Sequence, residues 1–206
     1  MNTTVRVLLA GVGGQGVLTA GRVIGEAAMA AGLPVRVGQL HGMSQRGGSV
    51  EATVVVGPGE TAFVGPGTCD VLLALEPLEA LRAAPRLRSG AQVWLSTARV
   101  VPSTLGAADR PYPAAEEIDR ALLERGAVVH RLDAAALAAQ AGDPKAISAV
   151  MVGVLAGTGS LPVPAALFEQ MVSAISPARS REATLQACRL GMAAAQKLGR
   201  QEPVRA

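Results

Sequence analysis

Four aromatic side chains are all that 206 residues carry: Phe63, Trp94, Tyr112 and Phe168. A surface that stacks nucleic-acid bases needs exposed rings in series, so this scarcity argues against such a platform. Cysteine is as sparse. Cys69 and Cys188 are far apart, with no C-x-x-C and no zinc-type spacing. An iron–sulfur cluster wants four ligands, so this chain by itself holds none, and the expectation is two buried thiols. Lysine occurs only at 145 and 197; the formal net charge of +3 is otherwise scattered arginine, with no basic run. That leaves only a mild bias toward anionic ligands. No stretch of about 20 apolar residues free of Gly, Pro and charge reads as a membrane span. The N-terminus runs straight into a strand, without a basic segment, hydrophobic run and cleavage site. The expectation is a soluble cytoplasmic protein that touches neither membrane nor nucleic acid. Recognisable catalytic sets are missing too: no nucleophile elbow, no H-x-x-x-H, no Ser/His/Asp set at known spacing, and no Walker lysine.

What is present is apolar patterning. Half of the residues are apolar and 17% are charged, enough to bury a real core. Val5-Arg6-Val7-Leu8-Leu9-Ala10 reads as a buried strand running into Gly11-Val12-Gly13-Gly14-Gln15-Gly16. Helical spacing follows over 17–32, ended by Gly32 and Pro34. Residues 35–40 read as a second strand, making a βαβ unit with the first two strands parallel. Residues 50–56 form a strand, and Gly57-Pro58-Gly59 turns the chain so that 61–64 is expected to pair back as a hairpin. Strands follow at 70–75, 91–95 and 127–131. Helices are expected from Glu76-Pro77 to about 84, over 116–124, from a cap at Asp133 to 141, from Pro144 to 156, over 164–174 and over 179–198. The fold class is therefore α/β: a single Rossmann-like domain with a mostly parallel sheet, one β-hairpin excursion and a helical C-terminal third. Residues 199–206 read as a frayed tail.

Two loops carry the functional signal. Gly11, Gly13 and Gly16 fit G-x-G-x-x-G, where backbone bends sharply and approaches a ligand or a strand. The helix after it aims free N–H groups and partial positive charge into the turn, which suits an anion. A dinucleotide site would want an acidic residue at the end of the second strand. That position holds Leu40-His41, and the nearest acids are Glu26 and Glu51. A purely structural tight turn is the competing account. The second loop, His41-Gly42-Met43-Ser44-Gln45-Arg46-Gly47-Gly48-Ser49, leaves the same edge of a parallel sheet. Arg46 supplies a planar fork for carboxylate or phosphate, beside two glycines whose amides can join in. His41 and Arg46 are the candidate catalytic groups. Gly11, Gly13, Gly14, Gln15, Gly16, Ser44, Gln45, Gly47, Gly48 and Ser49 are the candidate substrate- or anion-binding set. No metal ligand is assigned, and most acids are expected on solvated helical faces.

Taken together, Gly-Val-Gly-Gly-Gln-Gly-Val-Leu-Thr-Ala-Gly at 11–21 and His-Gly-Met-Ser-Gln-Arg-Gly-Gly-Ser-Val at 41–50 closely resemble the gamma-type component of 2-oxoacid:ferredoxin oxidoreductases. The form of the second loop is most similar to the beta subunit of the indolepyruvate branch. Tyr112-Pro113, residues 138–142, Val150-Met151-Val152-Gly153-Val154-Leu155 and Leu161-Pro162 resemble later landmarks, so the likeness spans nearly the whole chain. It implies a gamma-type catalytic domain over 1–198. It also implies a cytoplasmic hetero-oligomer in which a larger partner holds thiamine diphosphate, Mg²⁺ and iron–sulfur clusters. The implied reaction is oxidative decarboxylation of a 2-oxoacid to an acyl-CoA, with CoA as co-substrate and ferredoxin taking the electrons through the partner. The chain alone is expected to hold no cofactor and to be inactive. In this family an Asn is usual about where Ser148 stands, which is a departure. A stand-alone NAD(P)-dependent oxidoreductase and a non-catalytic nucleotide- or CoA-binding module are the alternatives.

Overall fold

A computed structural model describes residues 3–41, 47–59, 61–100 and 111–200. The strands are β1 (Val5–Val12), β2 (Val35–His41), β3 (Ser49–Val56), β4 (Cys69–Ala74), β5 (Leu87–Ser96) and β6 (Val128–Leu132). The helices are α1 (Val17–Ala30), α2 (Pro77–Ala83), α3 (Ala115–Leu123), α4 (Ala134–Gln140), α5 (Ile147–Thr158), α6 (Ala165–Ile175) and α7 (Arg181–Leu198), with a 3₁₀ turn at Ala84–Arg86. Among the described residues they form one six-stranded sheet in the order β2-β3-β1-β4-β5-β6.

The run from β1 through β4 and β5 to β6 is parallel, and β3 is antiparallel to both of its neighbours. β1 and β2 therefore point the same way, as the βαβ reading requires, but they do not touch. β3 returns from β2 into the slot between them. That arrangement corrects the expected hairpin. Residues 61–64 form no strand, because both edges of β3 are already taken by β1 and β2. The segment lies instead over one face of β2, where a Cβ on Gly38 would stand 3.2 Å from the Ala62 Cβ.

Side chains alternate across each strand, and the sheet divides two cores. Val7 and Leu9 of β1, with Val71, Leu73 and Trp94, pack beneath α1 and α4 to α7. Leu8 and Ala10, with Leu72, Val93 and Leu95, pack against α2 and α3. Burial on both faces is why β1 reads as an unbroken apolar run rather than an alternating one. Both cysteines are fully buried, Cys69 on β4 and Cys188 on α7. The α5–α7 contact is close enough for backbone to meet backbone at Gly153 and Gly191. α5 begins at Ile147, later than expected; Pro144 sits in the preceding turn, where the Ala146 N–H donates to the Asp143 carbonyl. No helix among the described residues is long and apolar enough to cross a membrane.

Candidate functional site

The two loops meet. Because β1 and β2 run the same way, both deliver their loops to the carboxyl edge of the sheet, where β3 starts. The Gly13 N–H donates to the Gly48 carbonyl at 2.8 Å, and the Gly47 N–H donates to the Gly13 carbonyl at 3.3 Å. The pairing continues the β1–β3 ladder, whose last register pair is Val12 with Ser49. An open cleft of about 400 Å³ lies above this junction, lined by Val12, Gly13, Gly14, Gly16, Val17, Leu18, Thr19 and Val50.

Each glycine of the first loop has a different reason. Gly14 (φ 105°) and Gly16 (φ 81°) sit where L-residues are strained. At Gly11 a Cβ would meet Val17, Gln15 and Leu75 within 3.1 Å, so this position serves close packing. Gly16 caps α1 in a left-handed conformation and abuts Ser148: a Cβ there would lie 2.6 Å from the Ser148 Oγ. Among the described residues, no carbonyl accepts from the amides of Gly14, Gly16, Val17, Leu18 or Thr19. The first N–H groups of a helix have no intrahelical partner, and the helix dipole adds about half a positive charge there. The loop thus presents donors and positive potential to the cleft.

Gln15 does something else. It is buried, its Oε1 accepts from the Val12 N–H at 2.7 Å, and its Nε2 donates to the Leu75 carbonyl at 3.0 Å. The amide ties the end of β1 to the end of β4 and turns away from the cleft. Ser49 is half-buried, and its hydroxyl donates to Glu79. Gly42, Ser44, Gln45, Arg46 and the side chain of His41 lie outside the described residues.

Comparison with known proteins decides the family. The model of the pyruvate ferredoxin/flavodoxin oxidoreductase family matches residues 6–194. Indolepyruvate oxidoreductase subunit IorB of Methanothermobacter thermautotrophicus is 36% identical over 192 residues, covering 92% of this chain and 96% of that one. The chain belongs to the pyruvate ferredoxin/flavodoxin oxidoreductase family. Its fold is that of the gamma subunit of a keto/oxoacid ferredoxin oxidoreductase from Geobacter sulfurreducens, with a TM-score of 0.69 over 94% of this chain and 99% of that one at 21% identity. The fold also matches 33% of a 2-oxoglutarate:ferredoxin oxidoreductase chain from Magnetococcus marinus, with a TM-score of 0.74 over 100% of this chain at 16% identity.

Within this ferredoxin/flavodoxin oxidoreductase fold, sequence reasoning missed two residues at the same edge. Glu76 and Glu79 are 0% and 1% exposed, two exceptions to the expectation that most acids lie on solvated faces. Glu76 caps α2: its Oε2 accepts from the N–H groups of Leu78 at 2.7 Å and Glu79 at 3.2 Å, and its Oε1 accepts from the Tyr112 hydroxyl. The Tyr112 ring lies under the Arg99 guanidinium, 5.2 Å from centroid to carbon. Glu79 accepts from Ser49 and from Arg82 Nη1 at 2.6 Å. Burial pushes its carboxyl above the ordinary value, Ser49 and Arg82 pull it back, and Glu76 pushes it up again. The signal was Glu-Pro-x-Glu directly after a buried strand, at the edge where both loops emerge.

Proposed function

We propose that this family member is the small subunit of a 2-oxoacid:ferredoxin oxidoreductase acting on an aryl-pyruvate such as indolepyruvate. Its domain spans 1–198, and it forms one wall of an active site completed by a larger partner subunit. The overall reaction releases CO₂ from the oxoacid, joins the acyl group to CoA as a thioester, and passes two electrons to ferredoxin. Thiamine diphosphate supplies the decarboxylation chemistry, and iron–sulfur clusters carry the electrons. The described residues of this chain do not fit an iron–sulfur cluster. A cluster wants four thiolates; here two buried thiols are each pushed up to about 12 by burial. No three or more His, Cys, Asp or Glu side chains come together as a metal site among the described residues. In this reading the partner holds the cofactors, and the complex works in the cytoplasm.

The observation that carries this reading is the junction at Gly13, where two loops are hydrogen-bonded into one cleft whose described lining is mostly backbone and small apolar side chains. Gly13, Gly14 and Gly16 line a cleft that suits an anion, either a CoA phosphate or the oxoacid carboxylate. His41 and Arg46 remain the side chains expected to act there, with Ser44, Gln45, Gly47 and Gly48 beside them. The sheet order disfavours the NAD(P) alternative. In that arrangement a parallel second strand lies next to β1 and supplies the ribose contact; here the neighbour is the antiparallel β3.

The test is reconstitution. The chain with its thiamine-containing partner should reduce ferredoxin in an oxoacid- and CoA-dependent manner, and neither component should do so alone. Substantial activity of this chain by itself would sink the reading. Arg46→Ala should leave stability within about 0.5 kcal/mol, as for a loop substitution, while lowering turnover of the complex. Unchanged turnover together with unchanged KM for CoA and oxoacid would remove Arg46 from the site.

A further inference from the structure

Two ties run from the start of β3 to the segment after β4. Ser49 Oγ donates to Glu79 Oε2 at 2.5 Å, and Arg86 Nη2 pairs with Glu51 Oε2 at 2.9 Å. Ser49 and Glu51 alternate with Val50, so they face α2 while Val50 faces α1 and lines the cleft. β1 lies between β3 and β4. The Ser49–Glu79 bond therefore spans the carboxyl end of β1, where Gly13 leaves the sheet.

We propose that Glu79 is a positioning residue that holds the cleft wall in place through Ser49. It is absent from the cleft lining, so its effect passes through the chain. From Ser49 the next residue back is Gly48, whose carbonyl accepts from the Gly13 N–H, and then Gly47, whose N–H donates to the Gly13 carbonyl. The other oxygen of Glu79 is held by Arg82 Nη1, and its backbone N–H is held by the Glu76 cap. Glu76 is itself gripped by Tyr112 and Leu78. A buried carboxylate demands donors. Here they come from one side on α2 and from the other on β3, so the carboxylate fixes one element against the other. Fold stability alone does not call for this bond. The two cores already anchor both strands, and an apolar pair would serve at a purely structural contact.

The inference rests on the proposed reading of the cleft as the anion site, and two readouts separate them. Hydrogen exchange in the full chain reports on the wall directly. Ser49→Ala and Glu79→Ala should speed exchange at the Gly13 and Gly47 amides by about tenfold or more, the worth of one hydrogen bond to a charged group. Exchange in β4 and β5 should stay unchanged. Glu79→Gln keeps an acceptor for Ser49 and should restore slow exchange. In the complex reconstituted with the thiamine-containing partner, Ser49→Ala should raise KM for CoA or for the oxoacid with kcat little changed, and Glu79→Gln should not. If Glu79→Ala does not fold, Ser49→Ala carries the test. Unchanged exchange at Gly13 and Gly47 in Ser49→Ala overturns the positioning role. Faster exchange with both KM values unchanged upholds the clasp and overturns the cleft as the anion site.

Discussion

Gly16→Ala measures how firmly the glycine loop is built. Two costs add. Gly16 holds φ 81° and ψ 22° as the residue before α1, and an L-residue in that left-handed region costs about 1–2 kcal/mol. The new methyl also lands 2.6 Å from the Ser148 Oγ and 3.0 Å from its Cβ. The hydroxyl can rotate away, but the Cβ contact forces a small shift of α5, worth about 1 kcal/mol as overpacking. The expected loss is about 2–3 kcal/mol in urea unfolding of the full chain. A double-mutant cycle apportions it. Ser148→Ala removes the hydroxyl and leaves the Cβ, so the double variant should recover about 0.5 kcal/mol relative to the sum. A loss below about 0.5 kcal/mol for Gly16→Ala would mean the loop reaches α1 by another path. The reasoning about the free amides at the start of the helix would then fall with it.

Two further perturbations probe the frame. Gly153→Ala places a methyl 1.9 Å from the Cys188 carbonyl oxygen, and a methyl added at Gly191 would likewise lie 2.0 Å from the Val150 carbonyl oxygen. Backbone cannot rotate aside, so α5 and α7 must separate at a cost of about 3 kcal/mol or more; a fall in Tm under about 4 °C in calorimetry would refute the contact. For Glu79, burial raises the carboxyl above 4.5 in the folded chain, against the opposing pull of Ser49 and Arg82. The native state then holds this proton more tightly than the unfolded one. Its contribution to stability is full below about pH 4.5 and is lost as pH rises through the native value. Glu79→Gln should therefore gain on the wild type as pH rises above about 4.5 in urea titrations, and a difference that stays flat or shrinks contradicts the sign.

The parts of this fold legible in the sequence are those fixed by local pattern. The apolar run of β1 can only be a strand buried on both faces, and Gly13-Gly14-Gln15-Gly16 after it can only be a turn. Asp133 caps α4 through the Ala136 N–H, as a short acceptor before an Ala-rich run should. Pairing was not legible. A strand's own residues say how many of its faces are buried, not which strand lies beside it, so the return of β3 between β2 and β1 left no trace in the β3 run itself. The hint lay in β2. Val37, Gln39 and Leu40 are exposed, as suits an edge strand. Glu76 and Glu79 escaped for a related reason. Helical spacing assigns a side chain to a face, and whether that face meets water depends on an element 30 residues away, at Ser49.

That dependence bears on what the site can do. The described part of the cleft wall is mostly backbone and small apolar side chains. Thr19 lends that lining a hydroxyl, while two polar side chains beside it are turned inward: Gln15 toward Leu75, and Ser49 toward Glu79. Backbone amides held this way attract and orient a charge without reorganising when it arrives, which is the contribution to catalysis they make best. They cannot exchange protons or carry electrons. A wall of this kind raises affinity and alignment for an anionic group and leaves bond-breaking to whatever is placed against it. Substitutions beneath the wall, at Gln15 or Ser49, should therefore act on KM before they act on kcat. Substitutions that reach the reacting atoms should do the reverse. Measured on the reconstituted complex, that split assigns each residue of the two loops to the frame or to the chemistry.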